Sequence, residues 1–216
     1  LIEHHQPRAK TLLEIACGTG GLLGRLSESY DVTGLDRSRA MLAIAKKRLP
    51  HLQLLHQDMT SFRVGRRFDA IVCAFDSINH LLRFADWRRV FRRVKAHLND
   101  GGVFIFDVNT SGKLQRIVDG PPWVGQFGRD TVVITVTKRR PGVFDWNVKI
   151  FEHQQQDRYR RHSETITELA VPRKRITASL KIVFNNVKAL DPEGTHPSDR
   201  SQRLYFVCRG ARSLKS

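Results

Sequence analysis

Cysteine is scarce in this chain: Cys17, Cys73 and Cys208 lie far apart and form no C-x-x-C pair. A disulfide framework and a thiolate zinc site are therefore excluded, no metal is expected, and a reducing cytoplasm is the expected compartment. Long apolar runs are missing as well. Stretches such as 70–75 and 103–106 fall far short of the ~20 residues a spanning helix needs, so no membrane partner is expected. The opening Leu1-Ile2-Glu3-His4-His5 lacks the basic start and apolar stretch of a secretory signal. Acidic residues are few, 21 against 37 Lys and Arg in 216 residues, which gives a formal charge of +16. Such a balance favours anionic partners, yet the excess is spread along the sequence without a polybasic tail. Repeats and low-complexity segments are also absent, and the length suits a single domain.

What is present is an alternation of strand and helix signals. Residues 11–16 read as a strand closed by Cys17-Gly18-Thr19-Gly20-Gly21, after which Leu22, Leu23 and Leu26 recur at helical spacing. A second strand, 30–35, ends at Asp36, and Ser38 is placed to cap a helix that Pro50 stops. Residues 52–56 and the almost wholly apolar 68–75 are the third and fourth strands. Leu81, Phe84, Trp87, Val90, Phe91, Val94 and Leu98 then form one helical stripe, with Arg88, Arg89, Arg92, Arg93 and Lys95 mostly off it, a pattern that reads as a solvated face. Asn99-Asp100-Gly101-Gly102 ends that helix before a fifth strand, 103–108. Repeated strand, helix, strand units predict a doubly wound, mostly parallel α/β sheet of Rossmann-like form.

Beyond Asn109 the period changes to two. Val132, Ile134 and Val136, then Phe144, Trp146, Val148 and Ile150, then a run over 158–168 predict an antiparallel β insertion, with turns at Arg140-Pro141-Gly142 and at 154–157. A helix over 172–181 and a closing strand pair, 187–190 and 204–208, complete the chain. The expected organisation is one domain, 1–216, made of a cofactor-binding part (1–110), the insertion (111–168) and a closing helix and strand pair (169–216).

A glycine turn between the first strand and helix lets backbone approach a ligand that a Cβ would exclude. An acid ending the second strand accepts hydrogen bonds from ribose hydroxyls. Gly18, Gly20 and Asp36 supply both parts and imply an adenosine-containing cofactor. NAD fits poorly, because Leu23 stands where the third small residue of the dinucleotide fingerprint belongs and Glu14 sits inside the first strand. Asp58-Met59 adds an acid for an adenine amino group and an apolar neighbour for its ring.

These segments, LLEIACGTG (12–20), VTGLDRS (32–38), QDM (57–59), FDAIVCAFDSINHL (68–81) and LNDGGVFIFDVN (98–109), resemble in order and spacing the motifs of class I S-adenosylmethionine-dependent methyltransferases. The meander, with Tyr159-Arg160-Arg161 and Glu164, is similar to small-molecule members with a β insertion, among them sugar N,N-dimethyltransferases. The resemblance implies that Ala16, Gly18 and Gly20 border the methionyl end of S-adenosylmethionine, with Glu14, Cys17 and Thr19 also among the cofactor-binding residues. It implies further that Asp36 holds the ribose, that Arg37 and Met41 flank the adenine, that Asp58 and Met59 bind it, and that Cys73, Ala74 and Phe75 floor the sulfonium. Such members carry an N-terminal helical cover. Only about ten residues precede the first motif here and Leu1 is not Met, so further residues are expected ahead of Leu1. The glycine usual between the last helix and its strand is replaced by Ile182-Val183-Phe184.

Asn79 and His80 follow the fourth strand, at the carboxyl edge where ligands bind in open α/β sheets, and are the candidate catalytic residues. Trp123, Trp146 and Tyr159 are candidate pocket walls. The implied activity is in-line transfer of a methyl group to N, O or C of a small-molecule acceptor. The alternatives are an RNA or DNA methyltransferase, which the charge favours but the absence of an (N/D)-P-P-(Y/F) motif at 75–78 opposes, and a non-catalytic protein retaining the fold.

Overall fold

The computed structural model describes residues 1–156, 158–194 and 196–211. In chain order its elements are Ile2–His5 (α1), Thr11–Ile15 (β1), Gly21–Leu26 (α2), Asp31–Asp36 (β2), Arg39–Arg48 (α3), Gln53–His56 (β3), Phe68–Cys73 (β4), a 3-10 turn at Ser77–His80, Phe84–His97 (α4) and Leu98–Asn109 (β5). Then follow Ser111–Asp119 (α5), Trp123–Phe127 (β6), Asp130–Arg140 (β7), Val143–His153 (β8), Tyr159–Leu169 (β9), Arg173–Val183 (α6), Phe184–Leu190 (β10) and Arg203–Ala211 (β11). No helix among the described residues is long and apolar enough to cross a membrane.

Seven strands form one sheet in the order β10-β11-β5-β4-β1-β2-β3, with β11 antiparallel to both its neighbours and the pairs from β5 to β3 parallel. Period-two alternation sends neighbouring residues to opposite faces. Leu12, Ala70, Val72, Val103 and Ile105 pack with Leu23 of α2 and Leu42 of α3. Leu13, Ile71, Phe104 and Phe106 pack with Trp87 and Phe91 of α4 and Ile176 of α6. With helices on both sides, the mostly apolar β4 and β5 need no solvent face. The fifth strand starts at Leu98 rather than near 103. Leu98 pairs with Phe68 across a bulge, and Gly101 takes φ +76, so 99–102 belong to the strand and do not separate it from the helix. At 182–184 no glycine is needed, because Phe184 passes straight into extended conformation at φ −119.

The inserted segment differs from expectation at its start. Residues 111–119 are helical, capped by the Thr110 hydroxyl accepting from the Lys113 N–H at 3.1 Å, and Leu114 is buried beneath them. The β insertion proper is a four-stranded antiparallel sheet, β6-β7-β8-β9, with β6 an additional strand. Directly opposed residues share a face. Val136, Phe144 and Trp146 face the core side with Ile166 and Glu168, while Thr137, Asp145, Asn147, Thr165 and Thr167 form a hydrogen-bonded polar ladder on the other. Asp157, expected to close the β8–β9 turn, lies outside the described residues.

Candidate active site

At the carboxyl ends of β1, β2 and β3 the chain opens into a cleft of about 380 Å³ lined by Ala16, Gly18, Asp36, Arg37, Met41, Asp58, Met59 and His80. Glu164 and Ile166 of β9 reach over it from the inserted sheet. A more open groove continues past the glycine turn, bordered by Glu14, Cys17, Thr19, Gly20 and Phe75. The turn is shaped by left-handed backbone at Ala16 (φ 58), Gly18 (φ 54) and Gly20 (φ 79). At Gly20 the torsion itself favours glycine, while a Cβ there would meet the movable Leu49 Cδ1 at 2.9 Å.

Asp36 is fixed by two backbone donors, with the Gly18 N–H on Oδ2 at 2.9 Å and the Ser38 N–H on Oδ1 at 2.8 Å. Each carboxylate oxygen retains acceptor capacity for a hydroxyl. Asp58 Oδ1 accepts from the Thr60 N–H and hydroxyl at 2.7 and 2.6 Å, which orients its second oxygen. Glu14 is buried with Oε2 unpartnered, and burial together with the Asp36 charge pushes its pKa up to about 8. That orphaned acceptor demands a donor or a cation from a ligand. S-adenosylmethionine fits these demands, for its ribose diol would meet Asp36 and its ammonium Glu14.

Cys17 borders the groove, its side chain packed into the core beneath α2 with burial raising its thiol to about 12. Two expectations are corrected here. Cys73 is wholly buried; with Ala74 it borders a neighbouring groove of about 510 Å³ that runs to Asp107 and Tyr205, leaving exposed Phe75 as the floor residue on the glycine-turn side. Asn79 is wholly buried and consumed by backbone: its Nδ2 donates to the carbonyls of Asn109 (3.1 Å) and Leu169 (3.0 Å), and its Oδ1 accepts from the Asn109 N–H. It ties β5 and β9 to the 3-10 turn and presents no atom to a substrate.

Beside exposed His80 lies a polar cluster that sequence reasoning missed. Asp76, His80 and Glu168 each bring a ligating atom within 4.8 Å of the others. Arg203 of β11 donates to Asp76 at 2.8 Å and to Asp107 at the end of β5. Glu168 is buried and accepts from Asn109 Nδ2 at 3.0 Å, and Lys113 of α5 donates to Asn109 Oδ1 at 2.7 Å. Burial, with the Asp76 charge nearby, pushes Glu168 up to about 7; burial likewise raises Asp107 against the pull of Arg203 and lowers Lys113. The Trp146 indole N–H faces the Glu168 carboxyl without closing a hydrogen bond of normal geometry. Trp146 itself packs on α5 with Phe144, and Tyr159 sits at the exposed end of β9 against His153, so neither walls the cleft. Exposed Trp123 packs near Phe127 on the outer strand.

Residues 12–102 match the family described as a methyltransferase domain. The sugar enzyme dTDP-3-amino-3,6-dideoxy-alpha-D-glucopyranose N,N-dimethyltransferase of Streptomyces fradiae is 44% identical over 108 residues, 50% of this chain and 42% of that enzyme. Over residues 12–102 the chain is similar to methyltransferase domains, and its fold is that of class I S-adenosylmethionine-dependent methyltransferases. A putative methyltransferase of Bacillus subtilis (strain 168), YqeM, is 28% identical over 229 residues, covering 100% of this chain and 90% of its own length. The structure of an S-adenosylmethionine-bound amino pentose methyltransferase from Micromonospora echinaspora, involved in calicheamicin biosynthesis, superposes with a TM-score of 0.80 at 27% identity, covering 96% of this chain and 86% of that one. The matched stretch spans under half the length of the dTDP-aminosugar enzymes.

Proposed function

We propose that this methyltransferase N-methylates the amino group of a small sugar-like acceptor. The observation that carries the reading is the juxtaposition of Asp76, His80 and Glu168 beside the cofactor cleft, two carboxyl groups and an imidazole able to hold an amine and take its proton. The likeness to aminosugar N-methyltransferases supports the same acceptor class. Three buried free thiols favour a reducing compartment, the cytoplasm.

In this reading Asp36 holds the ribose diol, Asp58 and Met59 the adenine, and Glu14 the ammonium end of the cofactor. S-adenosylmethionine, when bound, supplies a sulfonium-borne methyl carbon that an amine lone pair can take as the C–S electron pair returns to sulfur. Asp76 and Glu168 draw the amine in and align it. His80 receives the proton that the nitrogen loses. Glu164 and Ile166 cover the cleft and exclude water.

The test is a methyl-transfer assay with amino sugars and their hydroxyl counterparts. Transfer to the amines alone is expected, with His80→Ala lowering turnover by about 10²-fold or more while cofactor affinity holds. Methylation of hydroxyl or nucleic-acid acceptors with none of amines would overturn the assignment.

A further inference from the structure

The fold gathers charge that the sequence spreads. Helix α4 carries five cations against one acid, Asp86, and α6 carries four cations against none, so these two elements hold +8 of the chain's +16. They pack side by side on one flank of the parallel sheet. The Arg175 guanidinium of α6 lies 4.6 Å from the Phe84 ring of α4, and Arg88 approaches the same ring at 5.9 Å. Arg88, Arg92, Lys174, Arg175 and Lys181 are exposed and enter no ion pair among the described residues. The α2–α3 flank and the catalytic cleft lie elsewhere.

From this arrangement we infer that the α4–α6 face is a nucleic-acid docking surface that grips the phosphate backbone without reading sequence. Guanidinium forks match phosphate oxygens, and arginine dominates α4. The 14 residues of α4 extend for about 21 Å, enough to follow several successive phosphates. Phe84 is covered by two guanidiniums and the other large aromatics of the helix are buried, so nothing on the face offers a base a stacking platform. The apolar stripes of both helices are turned into the core, with Ile182 the exposed exception, which leaves little to enter a bilayer.

The experiment titrates the protein with a labelled mixed-sequence DNA duplex and RNA over a series of salt concentrations. Comparison proteins are the triple variant Arg92→Glu, Lys174→Glu, Lys181→Glu and a control reversing Lys47, Arg129 and Lys149, exposed cations of other surfaces. Sequence-independent binding at low salt is expected, with a log–log salt slope that becomes shallower by about 3 in the α4–α6 variant and much less in the control. Methyl transfer to a small acceptor, and circular dichroism, should be unchanged in that variant, which separates this inference from the assignment of the active site. Absence of binding at low salt, equal losses in the two variants, or tighter capture by vesicles containing anionic lipid or by polyglutamate would overturn it.

Discussion

The parallel sheet is buried on both faces, so Leu12 and Leu13, neighbours in sequence, sit in different cores and are both fully buried. The inserted sheet has one packed face and a small core of its own, Leu114, Val136, Phe144 and Ala170, while Trp123, Val124, Phe127 and Ile150 stay exposed. Its attachment is concentrated at the base, where Asn79 bonds Leu169 and Asn109 bonds Glu168. The frame, buried on both faces, carries Asp36 and Asp58, the acids of the proposed cofactor cleft. A cover held at one end carries Glu164 and Ile166 over that cleft and buried Glu168 beside His80. On the proposed reading the contrast assigns cofactor binding chiefly to the frame and acceptor choice to Glu168 at the base of the cover.

The largest expected effect tests the two cores. Phe106 stacks on Phe206 at 5.0 Å between ring centroids, and Phe106→Ala should cost about 3–5 kcal/mol in urea unfolding. Phe127→Ala, at the exposed edge of the inserted sheet, should stay within about 0.5 kcal/mol. Equal losses would break the comparison.

A second effect belongs to the frame. Glu14 has its pKa raised from 4.5 to about 8, so between those values the folded protein holds more protons than the unfolded chain. Stability must then fall as pH rises through that window and level off above it, by up to about 1.4 kcal/mol per pH unit for one such group. Glu168 adds to the slope up to about 7. Urea titrations across the window should find a flatter profile in Glu14→Gln. The wild-type slope persisting in that variant would remove Glu14 from the account.

A smaller change sharpens the boundary between the two regions. Asn79→Ala strands backbone groups at the base of the cover and should cost about 1–3 kcal/mol, with faster hydrogen exchange in β9. If turnover fell instead with stability and exchange unchanged, Asn79 would touch the acceptor after all.

The cofactor side was legible in the sequence because each group sits at a strand-to-turn junction where local signals suffice: Glu14, the glycine turn, Asp36 and Asp58 all line the expected cleft or its groove. The acceptor side was not, because Glu168, Arg203, Asp107 and Lys113 come from four elements whose convergence depends on tertiary packing. A period-two reading of 164, 166 and 168 puts Glu164, Ile166 and Glu168 on one face, a signal that was present but pointed nowhere without the cover's orientation. Helix α5 was missed although Thr110, the spacing of Leu114, Ile117 and Val118, and the following Gly120-Pro121-Pro122 mark its start, face and end. Asn79 stood at the right edge of the sheet, but position alone could not reveal that its amide is spent on backbone.

The division of labour between frame and cover is tested most directly by calorimetric titration of S-adenosylmethionine into the wild type, Asp36→Ala and Glu168→Gln. Losing a carboxylate that accepts from two hydroxyls should weaken binding about tenfold to a hundredfold in Asp36→Ala. Glu168→Gln should bind within about twofold of the wild type, since its change of well under 1 kcal/mol falls on the acceptor side. Unchanged affinity in Asp36→Ala, or equal losses in both variants, would contradict the account.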